Sequence, residues 1–116
     1  LLDADTSGVD APIAEIERNL AITYSQAIIR YATLTEADRA AGDTETADEH
    51  RIEGLAFSLV LEDLLTEAGA DMAAIADVYS LDAEAGSNGG GDEVTAALEP
   101  AWSTLGISSA DIGELE

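Results

Sequence analysis

The sequence predicts an all-α domain, an antiparallel helical hairpin completed to a bundle of about four helices. Two long segments repeat apolar residues at spacings of three, four and seven, as amphipathic helices do. Only a short break separates these segments, and two long helices joined in this way pack antiparallel. No stretch alternates apolar and polar residues as a strand would.

Residues 1–10 are interpreted as an exposed lead-in, and residues 11–116 as a single helical domain. Asp10 is a plausible N-cap, and Pro12 suits the first turn of a helix that extends to about Asp38. The apolar stripe of this helix comprises Ile13, Leu20, Tyr24, Ala27, Ile28 and Tyr31.

A second long helix is expected from about Thr44 to Ala68, because Gly42 breaks the first pattern and Gly69 ends the second. Three shorter helical segments are expected after Gly69, one before the Gly-rich loop at 85–93 and two after it. Their expected ranges are Asp71 to Leu81, Asp92 to Leu98 with a stop near Pro100, and a turn from Ser108 to Ile112. Trp102 and Leu105 are expected to close one end of the core.

The charge is strongly acidic. The chain has 25 Asp plus Glu, four basic residues that are all Arg, and a net charge of -21. This balance argues against nucleic acid and anionic lipid surfaces as partners, and it favours cations. Solubility or adaptation to high salt would explain the same total charge. No Cys is present, which excludes thiolate metal sites, and no apolar run reaches the ~18 residues that would insert into a membrane.

One carboxylate stands in line with the apolar stripe of the second helix. Glu53 has Phe57, Val60 and Leu64 at i+4, i+7 and i+11, so the helical wheel predicts that it faces the core. His50 lies one turn earlier and forms an HxxE pair with Glu53, and Glu49 is close by. A His and a carboxylate at this spacing can reach one metal ion, as in other helical-bundle metal sites.

A matching row runs along the first helix. Glu17, Tyr24 and Tyr31 are spaced by sevens and share the side of the apolar stripe. In a hairpin that turns near residues 40–41, position 53 faces roughly position 28. Glu53 is therefore expected between Tyr24 and Tyr31, with His50 near Tyr31.

A buried carboxylate needs a partner, and three remain open for Glu53: a phenol, an Arg, or a hard cation. Carboxylate, phenolate and imidazole together suit ferric iron or another hard or borderline cation. We expect no enzyme, because a di-iron centre needs a second Glu-x-x-His motif and no Ser has the sequence context of a nucleophile elbow.

Two other acidic segments are weaker cation candidates. Asp3-x-Asp5-x-Ser7-Gly8 matches the first half of a calcium loop, but Ala14 stands where the bidentate Glu belongs. The Asn88 to Asp92 segment could hold a divalent cation or simply turn the chain. We interpret both as solvated loops, with Ca(II) or another divalent ion as the alternative to Fe(III).

Three strings resemble the iron-assimilating, low-iron-inducible periplasmic proteins of algae and their microbial relatives. They are the run from Tyr24 to Tyr31, RIEGLAF at 51–57, and LGISSADIGEL at 105–115. The HxxE pair also resembles that of imelysin-like iron-uptake proteins, although Asp48 replaces the Gly of their fuller pattern. The resemblance implies Glu53 and His50 as iron ligands, and an anion such as carbonate, for which Arg51 and Arg30 are the nearest cationic groups.

Two functional hypotheses follow from the residues and this resemblance. In the first, an extracytoplasmic domain (periplasmic, secreted or at the cell surface) captures Fe(III) for uptake and passes it to a membrane transporter or reductase. Its candidate ligands are Glu53, His50, Tyr24, Tyr31, Glu17 and Glu49. In the second, the chain is an acidic structural or interaction domain from a salt-adapted organism, with no metal site.

Overall fold

The predicted all-α class is confirmed by a computed structural model that describes residues 7–113, with side chains from Ile13 onward. The described part of the chain contains six helices and no strand. They are α1 (Ser7–Ala40), α2 (Thr44–Val60), α3 (Glu62–Ala68), α4 (Met72–Val78), α5 (Gly91–Leu105) and α6 (Ser109–Ile112). None of the described helices is both long enough and apolar enough to cross a lipid bilayer.

Helices α1 and α2 form the expected antiparallel hairpin, and this is the most extensive helix pair in the fold. Gly42 makes the connection with a positive φ of 79°. Asp43 then caps α2 by accepting a hydrogen bond from the Thr46 amide at 3.1 Å. The bonds from Thr46 hold the pKa of Asp43 below its usual value. The turn is therefore fixed by one glycine and one cap.

The first helix begins earlier than the sequence pattern predicts. Ser7 to Asp10 already belong to α1, so Asp10 does not mark the start of the helix. Residues 1–6 of the expected lead-in lie outside the described residues. At its other end α1 continues to Ala40, close to the expected Asp38.

The second long helix is interrupted, which the periodicity did not indicate. Leu61 leaves helical geometry between α2 and α3, with φ −108° and ψ 19°. After this break α3 packs mainly on α5 rather than on α1. Gly69 ends α3 in the left-handed conformation with φ 113°, as expected from its position.

The predicted stop near Pro100 is wrong, because α5 continues through the proline to Leu105. Pro100 is exposed, whereas Leu98, Ala101 and Trp102 around it are buried. Packing of this face compensates for the backbone hydrogen bond that a proline cannot make. The short α4 begins after its cap, Asp71, and ends at Val78, three residues before the expected Leu81.

The core lies between α1, α5 and the short helices. Its largest fully buried apolar side chains are Ile28, Leu65, Ile75, Leu98, Val94 and the ring of Tyr79. The hydroxyl of Tyr79 donates to the Ile28 carbonyl of α1. Trp102 of α5 donates its indole N–H to the buried hydroxyl of Ser25 at 3.0 Å. These two contacts tie α1 to the second half of the chain.

Candidate functional site

An aromatic row fills the outer groove between α1 and α2. The ring of Phe57 stacks on Tyr31, with centroids 5.6 Å apart and an interplanar angle of 13°. The ring of Tyr24 meets Phe57 edge-on at 5.7 Å. Glu53 was expected between these two phenols, but Phe57 occupies that position, one helical turn further along α2. A large apolar ring gains more from this half-buried groove than a carboxylate would.

The expectation that Glu53 faces the core is wrong. Its side chain is exposed, and the core-facing residues of α2 are Ala47, Gly54 and Ser58. Glu53 lies at the edge of the groove beside Tyr31. Its carboxylate raises the pKa of Tyr31, first by accepting a hydrogen bond from the phenol and further by its charge. Glu53 and Tyr31 are therefore neighbours, but at the surface and not in the core.

His50 lies near Tyr31 as expected, with ring centroids 5.8 Å apart. Asp38 was not among the predicted site residues, yet its carboxylate lies 2.6 Å from His50 Nδ1. Asp38 follows Tyr31 by seven positions, so the row of Glu17, Tyr24 and Tyr31 extends to it. Extending that spacing by one step would have revealed it.

The structure brings together three of the six predicted metal ligands: Tyr31, His50 and Glu53. Glu17 is half-buried at the far end of the row, about 21 Å along α1 from Tyr31 at the rise of an α-helix. Tyr24 lies about 10 Å along α1 from Tyr31 by the same rise, on the other side of the Phe57 ring. Glu49 is exposed on α2, one turn before Glu53, and makes no described contact with Tyr31 or His50.

Among the side chains that the structure describes, from Ile13 to Gly113, no three His, Asp or Glu are grouped so that they could hold a metal ion. A metal site at this groove therefore depends on the phenol of Tyr31 as a third ligand beside His50 and Glu53. The described hydrogen bonds of His50 involve Nδ1 alone. A carboxylate on Nδ1 fixes the ring and directs Nε2 outward, as in many carboxylate–histidine–metal arrangements. The donor set thus fits a hard or borderline cation.

The two terminal nitrogens of Arg51 have a structural role, whereas its Nε is buried without a hydrogen-bond partner among the described residues. Its guanidinium donates to the carbonyls of Ser80 at 3.1 Å and Ala83 at 2.6 Å, and to Asp48 at 2.7 Å. These bonds hold the loop between α4 and α5 against α2. Arg30 is exposed on α1, and its charge acts to lower the pKa of Tyr31, against the larger effect of Glu53.

The other cation candidates gain no support from the described geometry. Asp3 and Asp5 lie outside the described residues, and Ser7 and Gly8 belong to α1. In the Gly-rich loop, the Asn88 amide donates to the Asp77 carbonyl at 2.9 Å. The loop thus turns the chain and leads into α5, where the Glu93 carboxylate accepts a hydrogen bond from the Gly90 amide.

Comparison of the chain with family models, with curated proteins and with solved structures finds no match. The resemblance to iron-assimilating proteins therefore stays a prediction from the residues quoted above.

Proposed function

We propose that this domain binds a hard metal ion, Fe(III) foremost, in the outer groove of the α1–α2 hairpin. The observation that carries the proposal is the approach of Tyr31 on α1 to His50 on α2, with Glu53 one helical turn from His50. Tyr31 supplies a phenol, His50 an imidazole that Asp38 orients, and Glu53 a carboxylate. Phenolate and carboxylate oxygens suit Fe(III), and imidazole suits iron as well.

Ca(II) is the weaker candidate for this groove. Calcium prefers six to eight oxygen ligands, and the cluster includes a nitrogen donor and few oxygens. Iron accepts the mixed set, with water or an external anion completing its coordination. Such an open site favours capture and transfer of a metal over permanent storage.

The rest of the surface assists a cation-capturing role. A net charge of -21 raises the local concentration of cations around the domain. Tyr31 and His50 are half-buried rather than enclosed, so an ion reaches them without unfolding the bundle. We infer that an extracytoplasmic domain of this kind passes iron to a membrane transporter or reductase.

The test is a ferric titration of the whole chain, with iron supplied as a soluble chelate and the visible spectrum recorded. The proposal expects saturation at one ion per chain and a phenolate-to-iron absorption band. Tyr31→Phe should abolish the band, and His50→Ala and Glu53→Gln should each weaken binding. Tyr24→Phe and Glu49→Gln are the matched controls and should bind as the unmodified chain does.

Absence of saturable binding, or equal loss in the Tyr24→Phe control, would reject this assignment of ligands. Circular dichroism of each variant separates loss of a ligand from loss of the fold. Because Glu53 and His50 are not in the buried core, their substitution should leave the helical spectrum unchanged.

A second function is favoured by the way these groups pair with one another. His50 is paired with Asp38 across the two helices, and Glu53 acts on the Tyr31 phenol beside them, so the cluster can serve as a polar clasp between the helices. An acidic structural or interaction domain would need no more. This alternative expects no saturable metal site, and a free energy of unfolding that rises with any salt as the surface charges are screened.

A further inference from the structure

Helix α1 carries two apolar faces, of which the fold uses one fully. Its inner face, with Ala21, Ile28 and Ala32, is buried in the core. A second stripe follows spacings of three and four along the outer side: Ile13, Ile16, Leu20, Tyr24, Ala27, Tyr31 and Leu34. Such spacing is the seam of a helix that packs against another helix.

Helix α2 covers the later part of this outer stripe, from about Tyr24 onward. Phe57 contacts Tyr24 and Tyr31, and beyond it the break at Leu61 directs α3 onto α5. Among the described residues, the beginning of the stripe is consequently left exposed: Ile13 at 50%, Ile16 at 58% and Leu20 at 41%. Val60, one turn beyond Phe57 on α2, is 62% exposed.

The rim of this patch is acidic. Glu17 borders it on α1 and lines one cleft with Glu67 of α3, and Glu62 and Asp63 follow Val60 along the chain. The basic residue in this part of α1, Arg18, is engaged with the Asp111 carboxylate at 2.9 Å and with the Gly106 carbonyl. The chain contains no Lys that would reduce the negative electrostatic potential of this surface.

We propose that the patch of Ile13, Ile16, Leu20 and Val60 receives an amphipathic helix from a partner protein, with an apolar seam flanked by Lys and Arg. The helical spacing of the patch favours a helix as the partner element, and the acidic rim favours basic residues on the flanks of that helix. A second copy of this chain is disfavoured as occupant because its own acidic rim would meet this one. The docking surface lies apart from Tyr31 and His50, so it stands independently of metal binding.

The test uses three synthetic helical peptides, each about three heptads long, and the whole chain with a chelator present. One peptide has Leu at the seam and Lys or Arg on the flanks. The second keeps the seam with Glu flanks, and the third keeps the basic flanks with Gln at the seam. Fluorescence anisotropy of the labelled peptide at fixed ionic strength reports binding.

The proposal expects saturable one-to-one binding of the first peptide alone, weakened about tenfold or more when two apolar contacts are removed by Ile16→Gln with Val60→Gln. Leu81→Gln is the matched control, because Leu81 is 61% exposed and outside the patch. Equal binding of the third peptide, which has basic flanks but no apolar seam, would show attraction by charge alone and overturn the proposal. Undiminished binding by the double variant, or a dimer of the chain that this variant abolishes, would overturn it as well.

Discussion

The ring of Tyr79 lies directly over Gly54, so that α4 and α2 meet through a tyrosine and the bare backbone of a glycine. A Cβ at position 54 would overlap the Tyr79 ring. The hydroxyl of that ring reaches past α2 to the Ile28 carbonyl of α1. Gly54, the fourth residue of the RIEGLAF string at 51–57, therefore makes room for the contact that joins three helices.

Gly54→Ala should lower the free energy of unfolding by about 1–3 kcal/mol, the usual cost of overpacking a core. Because alanine favours a helix more than glycine does, helix propensity alone would predict a gain in stability from this substitution. Urea denaturation measures the change. In a Tyr79→Leu background the same substitution should cost much less, and an unchanged cost there would show that the ring is not the cause.

Tyr79 also makes stability depend on alkaline pH. Burial raises the pKa of Tyr79 above its ordinary value of 10.0, so the folded state retains a proton that the unfolded chain releases. Stability from this group is complete below the ordinary pKa and is lost as pH rises above it. Urea midpoints should stay constant up to about pH 10, the ordinary pKa of tyrosine, and fall progressively above it.

Tyr79→Phe is the control for this effect. It should lower stability at neutral pH by about 1 kcal/mol, the net worth of a hydrogen bond, and make the alkaline loss shallower. An equally steep loss in the variant would assign the pH dependence to other groups.

The sequence was sufficient for the existence and direction of the long helices, because apolar periodicity and Gly69 act locally. It was insufficient for the rotation of α2 about its own axis. A helical wheel gives the relative angles of Glu53, Phe57 and Gly54, but not which angle meets α1. That choice is made by Tyr79 packing on Gly54 and by Phe57 filling the groove, which are contacts between distant segments.

The same limit explains the errors at Leu61 and Pro100. Neither the break after Val60 nor the passage of α5 through a proline is encoded by a local signal. Both depend on how α3 and α5 bury their apolar faces against each other and against α1. Tertiary packing overrides propensity at these two positions.

The buried hydrogen bond from Trp102 to Ser25 should contribute measurably to the stability of the fold. Ser25→Ala would leave the indole N–H of Trp102 without its acceptor in the core, at a cost of about 1–3 kcal/mol in the free energy of unfolding. Ser58→Ala is the matched control. Ser58 is equally buried, but its hydroxyl donates only to the Leu55 carbonyl of its own helix. Similar costs for both serines would argue against the special role of Ser25.

The C-terminal helix α6 should detach in acid. The backbone amide of Ser108, together with its hydroxyl and with Arg18, holds the pKa of Asp111 below its ordinary value of 3.8. A depressed pKa stabilises the folded state above the ordinary value and ceases to do so as pH falls through the depressed one. Trp102 lines the same cleft as Ser109 and Ile112, so its fluorescence should report the change.

Asp111→Asn should remove most of this acid transition, and the variant should already have a loosely held α6 at neutral pH. Arg18→Gln is expected to produce part of the same effect, since it removes the ion pair and leaves the Ser108 contacts. A full-sized acid transition in Asp111→Asn would contradict the assignment.

Asp38 should act on metal binding through His50 without touching the ion. Its carboxylate on Nδ1 orients the ring, and the loss of such a partner typically weakens metal affinity by about 10–100-fold. Asp38→Asn should therefore weaken ferric binding in this range while the phenolate band of Tyr31 persists at saturation. Glu36→Gln, also on α1, is the matched control and should keep the affinity. The His50 ring nitrogens can be followed by NMR, and a tautomer and affinity unchanged by Asp38→Asn would remove Asp38 from the site.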